Sequence, residues 1–353
     1  MRGTRRIVAL GIITCSALLV TLVAPTAASA RPRVQVLLSG LSSPKGLALA
    51  LDGNLIVGQG AFGPPAPVLI HLLKGPDRGD TIEVTEDLNV IDVAEGPDGS
   101  GWAIGGDRVL YRQDLAGNIE PVLDIADYQV TDPDPFDQEG LPTESNPYGL
   151  AVHPTGDALV ADAAGNDLLR VSPDGDATTV ARFDVESIST NHIPDPALPR
   201  RIDAEAVPTS VTIGPDGWIY VSELKGFPFR PRTSHIWRIA PNADGVLCSV
   251  NDPAAGCSHI RGRFTAINDF AFNQRNSALY VYQLAAAGVL AFEEGFETGS
   301  FPPAVLLKVK GDERTRLGVR RLSQPGGVVV TRDGKVYVTD GMFGDGRLLR
   351  VRR

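Results

Sequence analysis

The sequence predicts an all-β protein, a six-bladed β-propeller closed by pairing of an N-terminal strand with the last blade. Three observations predict it. Residues 145–175 (SNPYGLAVHPTGDALVADAAGNDLLRVSPDG) hold three short apolar runs cut by Pro/Gly/Asp turns, which is antiparallel hairpin material. The pattern then recurs in five further copies: 44–58, 90–105, 207–223, 267–283 and 324–340. A four-stranded meander cannot bury its own faces, so copies at a regular spacing read as blades of one ring. Finally, the chain ends in an apolar run at 348–351 with no strand left to complete the sixth copy, while 34–39 supplies one ahead of the first. Pairing the two ends removes the exposed edge of an open sheet.

The elements follow in order. Arg2, Arg5 and Arg6 precede an apolar run over 7–23, then Ala28-Ser29-Ala30. A basic start, an apolar centre and an Ala-x-Ala site predict a secretory signal peptide over 1–30, cut after Ala30. Cys15 as a lipidated cysteine is the rival reading, but it leaves too short an apolar run before it. Residues 31–353 then form the propeller, secreted or held in the cell envelope or periplasm. Loss of three arginines leaves 30 basic and 42 acidic residues, a net charge of −12. That balance repels phosphate backbones and anionic lipid, so neither nucleic acid nor membrane is an expected partner after cleavage.

A turn marker falls at Gly53, Gly99, Gly156, Gly217, Ser277 and Gly334, at intervals of 46 to 61 residues. Each marks the hairpin between the innermost strand of a blade and the second. These short turns share one face, and the opposite face receives the long connections. They are a proline-rich acidic loop at 127–145, the segment 183–206, the loop 224–234 (LKGFPFRPRTS) and a long loop near 285–303. Binding residues on a rigid scaffold usually sit on such loops, so this face is the candidate site. Cys248 and Cys257, nine residues apart around Asn251-Asp252-Pro253, are expected to form a disulfide stapling one loop in an oxidising compartment.

The segments SNPYGLAVHPTGDALVADAAGNDLLRV, VPTSVTIGPDGWIYVSELKGFPF and PGGVVVTRDGKVYVTDG resemble the ScyD/ScyE family of exported propellers. That family is associated with scytonemin biosynthesis and related to NHL-repeat and gluconolactonase-like propellers. The resemblance spans the mature chain and implies a secreted six-bladed propeller; it implies no particular reaction.

Polar residues recur at equivalent strand ends on the loop face. Asp162, Glu223 and Asp340 are the candidate ligands of a calcium ion, with Asn146 and Asn268 as neutral oxygen donors. The competing expectation is that residues repeating once per blade hold loop backbone groups instead. Asn146, Tyr148, Phe227, Phe229, Asn268 and Gln283 are the candidate ligand-binding residues, Phe227 and Phe229 flanking Pro228 in the GFPF loop. Glu95 imitates the Glu-Gly-Pro motif of gluconolactonase-like enzymes. Its alignment with the Gly-Pro-Asp-Gly turns puts it on the wrong face, as a structural residue. Asp132, Asp134, Asp137 and Glu139 lack calcium-loop spacing and are expected to be a solvated loop. No HExxH, GxSxG or phosphate-loop motif is present. The expectation is an exported propeller that binds a small molecule or protein on its loop face without catalysis. A calcium-dependent lactonase and a purely structural interaction platform are the alternatives.

Overall fold

The computed structural model describes residues 34–252 and 254–352. The predicted signal peptide lies outside them. Blade 1 is β2 (Leu47–Leu49), β3 (Leu55–Val57), β4 (Leu69–His71) and β5 (Thr81–Glu83), and it follows the first strand of the chain, β1 (Val34–Ser42). Blade 2 is β6 (Val90–Glu95), β7 (Gly101–Gly105), β8 (Val109–Gln113) and β9 (Ile119–Asp124). After helix α1 (Ile125–Thr131), blade 3 is β10 (Pro147–Val152), β11 (Ala158–Asp162), β12 (Asp167–Val171) and β13 (Ala177–Phe183). The small hairpin β14 (Glu186–Ser189) and β15 (Arg201–Ala204) leads to blade 4: β16 (Pro208–Ile213), β17 (Ile219–Glu223), β18 (Ser234–Ile239), then an inserted β19 (Val246–Cys248) and β20 (Cys257–Phe264). Blade 5 is β21 (Ile267–Phe272), β22 (Leu279–Gln283), helix α2 (Val289–Thr298), β23 (Val305–Lys310) and β24 (Glu313–Leu317). Blade 6 is β25 (Pro325–Val330), β26 (Val336–Asp340) and β27 (Asp345–Val351), completed by β1.

The ring closes as the sequence predicts. β1 runs antiparallel to β27, from Val34 opposite Val351 to Ser42 opposite Asp345. The six turn markers all take positive φ, from 54° at Ser277 to 99° at Gly156. That left-handed conformation closes a tight hairpin and favours glycine. Blade 5, whose marker is serine, spans Asn273 to Ala278, one residue longer than the Gly96-to-Ser100 turn of blade 2.

Alternation along the second strands builds the core. Trp102, Leu159, Tyr220, Tyr280 and Tyr337 occupy one equivalent position, and each is buried against the following blade. The intervening residues, such as Val160, Val221, Val281 and Val338, face the blade before. Truncating one of the aromatics would cost about 3–5 kcal/mol.

Two long segments differ from expectation. The loop near 285–303 contains α2, whose Gly295 lets Phe301 pack against the helix axis; a Cβ there would sit 2.5 Å from the Phe301 ring. α1 begins before the acidic loop, with Asp124 capping it through the Ala126 N–H. The acidic loop is folded rather than solvated throughout. Asp134 is buried and accepts from Asn166 Nδ2 at 2.8 Å, Asp132 pairs with Arg182, and Asp137 takes the N–H groups of Glu139, Gly140 and Leu141.

The expected disulfide is present between Cys248 and Cys257. It does more than staple a loop. β19 pairs in parallel with β13, adding a fifth strand to blade 3, while Cys257 begins the outer strand of blade 4. The bridge therefore ties two blades together at the rim.

Candidate functional site at the propeller mouth

Each inner strand enters the ring from the loop face, and those of blades 2 to 6 are irregular over their first two or three residues. At the position just inside the mouth stand Lys45, Tyr148, Thr209 and Asn268 from four blades. One residue further along come Asp92, Ser210 and Asp269, where the other blades have glycine. Glycine is required at two of these. A Cβ on Gly149 would lie 2.6 Å from the Ser210 Cα, and one on Gly327 would lie 2.9 Å from the Lys45 carbonyl oxygen.

The axial residues form one connected network. Lys45 Nζ donates to the Tyr148 carbonyl oxygen at 2.6 Å, lies 3.7 Å from Asp92 Oδ2 and stands 4.1 Å from the centre of the Tyr148 ring. The Tyr148 hydroxyl donates to Asn268 Oδ1 at 2.9 Å, and Asn268 Nδ2 donates to the Pro325 and Gly326 carbonyls, each at 2.8 Å. Asp92 accepts from the Leu150 N–H at 3.0 Å. Asp269 accepts from Ser210 Oγ and from the Val328 N–H, both at 2.5 Å. These contacts draw on residues of all six blades.

Its electrostatics follow from burial. Desolvation pushes the Asp269 carboxyl up to about 7; Asp92 adds to this, and Ser210, Lys45 and the Val328 N–H oppose it. Burial also raises Asp92, against the pull of Lys45. The Tyr148 hydroxyl is held protonated by burial and by the two carboxylates. Tyr148 and Asn268 were legible as site candidates. Lys45 and Asp92 were missed, and only a column-by-column alignment of the inner strands brings them out.

The predicted metal ligands occupy another position. Asp162, Glu223 and Asp340 end the second strands of blades 3, 4 and 6, and Gln283 ends that of blade 5. Asp162 accepts from Ser145 Oγ and from the N–H groups of Asn146, Ala164 and Gly165. Asp340 accepts from the Ser323 N–H at 2.7 Å and the Tyr282 hydroxyl at 3.1 Å, and pairs with Arg347. Gln283 Oε1 accepts from the Thr265 N–H at 2.7 Å. Glu223 takes the His235 N–H and Trp237 Nε1, each at 2.9 Å, and pairs with the buried Lys225 at 2.9 Å. Each is engaged by donors from its own blade and connecting segments, and Asp340 also by Tyr282 of blade 5. Among the described residues no group of three or more His, Cys, Asp or Glu side chains is placed to hold one ion. Asn146 is exposed, and its carbonyl takes the Ala163 N–H. Glu95 accepts from the Leu51 N–H at the short-turn face, where the sequence places it.

Aromatic residues cover the mouth. Phe343 from the β26–β27 turn lies 4.8 Å from Phe62 of blade 1 and 5.0 Å from Phe296 of α2, ring centre to ring centre. Phe62 in turn lies 6.5 Å from Tyr148. Phe229 packs with α2 and Met342 in one apolar cluster, while Phe227, edge-on to Phe229 at 5.8 Å, is exposed. Phe62 and Phe296 are 43% and 56% exposed, so the cover presents an apolar surface to solvent. Beside Phe62 and Phe343 a recess of about 470 Å³ opens at the seam of blades 6 and 1.

No family model and no curated protein matches the sequence. Solved structures do match in shape. Virginiamycin B lyase from Staphylococcus aureus is 14% identical, covering 92% of this chain and 100% of its own, with a TM-score of 0.52. A gluconolactonase from Xanthomonas campestris is 11% identical over 91% of this chain and 89% of its own, with a TM-score of 0.56. The PQQ-bound aldose sugar dehydrogenase from Streptomyces coelicolor is 15% identical over 92% and 98%, with a TM-score of 0.52. The likeness is one of fold. Lyases, lactonases and sugar dehydrogenases share the six-bladed ring, and function must be argued from the residues of this chain.

Proposed function

We propose that the chain is an exported propeller of the ScyD/ScyE type whose loop face binds a small molecule or protein without catalysis. The observation that carries this reading is the exposed Phe62–Phe343–Phe296 surface beside the recess, laid over a polar network that is already internally hydrogen-bonded. Rigid aromatic side chains on a fixed scaffold give contact area at little entropic cost. The test is a thermal-shift screen of small molecules and envelope proteins against the mature chain and a Phe62→Ala/Phe296→Ala variant. A ligand that raises the wild-type Tm and leaves the variant unmoved supports the reading. Ligands that stabilise both equally place binding elsewhere.

A calcium-dependent lactonase is the second reading, favoured by the axial carboxylates Asp92 and Asp269 and the raised proton affinity of the latter. An ion held by Asp162, Glu223 and Asp340 requires those groups to leave their present donors. Metal analysis of the purified chain, with melting before and after a chelator, separates the readings: stoichiometric calcium and a chelator-lowered Tm favour the lactonase.

A further inference from the structure

The six seams between blades are not filled alike. Where other second strands send Trp102, Leu159, Tyr220, Tyr280 or Tyr337 into the next blade, blade 1 sends Ile56. On the receiving side, the pairs Ala158/Val160, Ile219/Val221, Leu279/Val281 and Val336/Val338 are matched in blade 2 by Gly101 and Ala103, with Gly105 beyond. Both sides of the seam between blades 1 and 2 lack bulk. Gly101 is not at positive φ, and the nearest atoms to a Cβ there belong to the flexible Gln113 side chain, at 3.3 Å and beyond. The backbone therefore does not call for glycine at 101; what its missing side chain leaves is room.

That room is a cavity of about 1030 Å³, open to solvent along one side. Its walls include Ile56, Val68, Ile70, Val93 and Ala103. Its charged lining residues are Glu83, Glu86, Glu95 and Asp107, and no Lys, Arg or His lines it. The volume lies at the upper end of the range for small-molecule sites. An apolar crevice with carboxylates of one sign selects an occupant with an apolar body and a positive head.

We propose that the seam between blades 1 and 2 is a binding site for an amphiphilic amine, its apolar body between the blades and its ammonium group at the carboxylates. The cavity runs along the seam from Gly99 to Gly106, and Phe62, Phe296 and Phe343 do not line it. The probe is dodecyltrimethylammonium below its micelle concentration, titrated calorimetrically. One cation binds per chain, dodecanoate binds at least tenfold more weakly, and tetramethylammonium does not bind. Ala103→Leu, which fills the crevice, weakens binding at least tenfold. Glu83→Gln/Glu86→Gln narrows the preference for cation over anion. The Phe62→Ala/Phe296→Ala variant binds as wild type, so failure here and failure of the loop-face reading are distinguishable. Equal binding of cation and anion, or an Ala103→Leu chain that binds as wild type, overturns the proposal. Should Ala103→Leu not fold, the smaller Ala103→Val decides by the same titration: binding as tight as wild type overturns the proposal.

Discussion

Asp162 collects five donors on one buried carboxylate, three of them backbone N–H groups. Asp162→Ala strands those donors in the interior, and urea denaturation should show a loss of about 3 kcal/mol or more. A loss under 1 kcal/mol would mean that water replaces the carboxylate. Asp269 makes a different prediction. Its carboxyl is raised to about 7 in the fold, against about 3.9 in an unfolded chain. Between those values the folded state keeps a proton that the unfolded state has lost. The stability this group contributes is complete below about pH 4 and is lost as the pH rises through about 7. Wild type should therefore lose more stability between pH 5 and pH 8 than Asp269→Asn; equal losses would exclude the buried titration. At this scale the sequence was legible by type and not by engagement. The strand-end carboxylates were visible as a repeated column, but a column does not tell whether its oxygens face an ion or the N–H groups of a loop. The network of Lys45 and Asp92 was invisible because the two lie in different blades and different columns of the repeat, 47 residues apart in sequence.

At the scale of elements, the inserted strand β19 depends on its covalent tie. It is three residues long and pairs only with β13, and the bridge from Cys248 to Cys257 fixes its end. Replacing both cysteines by serine should cost about 2–3 kcal/mol for a loop of this size. Hydrogen exchange should quicken at residues 246–248 and 181–183 and not in the inner strands. Uniform quickening would indicate a global rather than local loss. The short hairpins were readable because their turns impose positive φ at a marker residue. The helices were not: α2 has no side-chain cap and Gly at both ends, and α1 lies in a segment dominated by its prolines and acids. Tertiary contacts, such as Phe292 and Phe296 against Phe343, supply what local propensity lacks.

For the whole molecule, blade count and closure were both legible, since a repeat that ends one strand short must borrow one. A chain beginning after Ser42 would leave the β27 edge open. It should melt at a lower temperature, less cooperatively, and associate through that edge, as light scattering would report. An unchanged melt would show that β1 is dispensable. The seam between blades 1 and 2 was not legible, because three small residues in one strand carry no meaning until their counterparts in five other blades are set beside them.

Closure also sets an order in time. β1 is the first strand of the described chain to be synthesised, and its partner is the last. Until residue 351 is available the ring has no closing pair, so the five earlier blades, each a complete sheet, must wait in an open arc. Contacts this distant in sequence make folding slow. A permuted chain that begins at β2 and carries β1 after β27 would present the closing strands consecutively, and should reach the native state sooner than the natural order does.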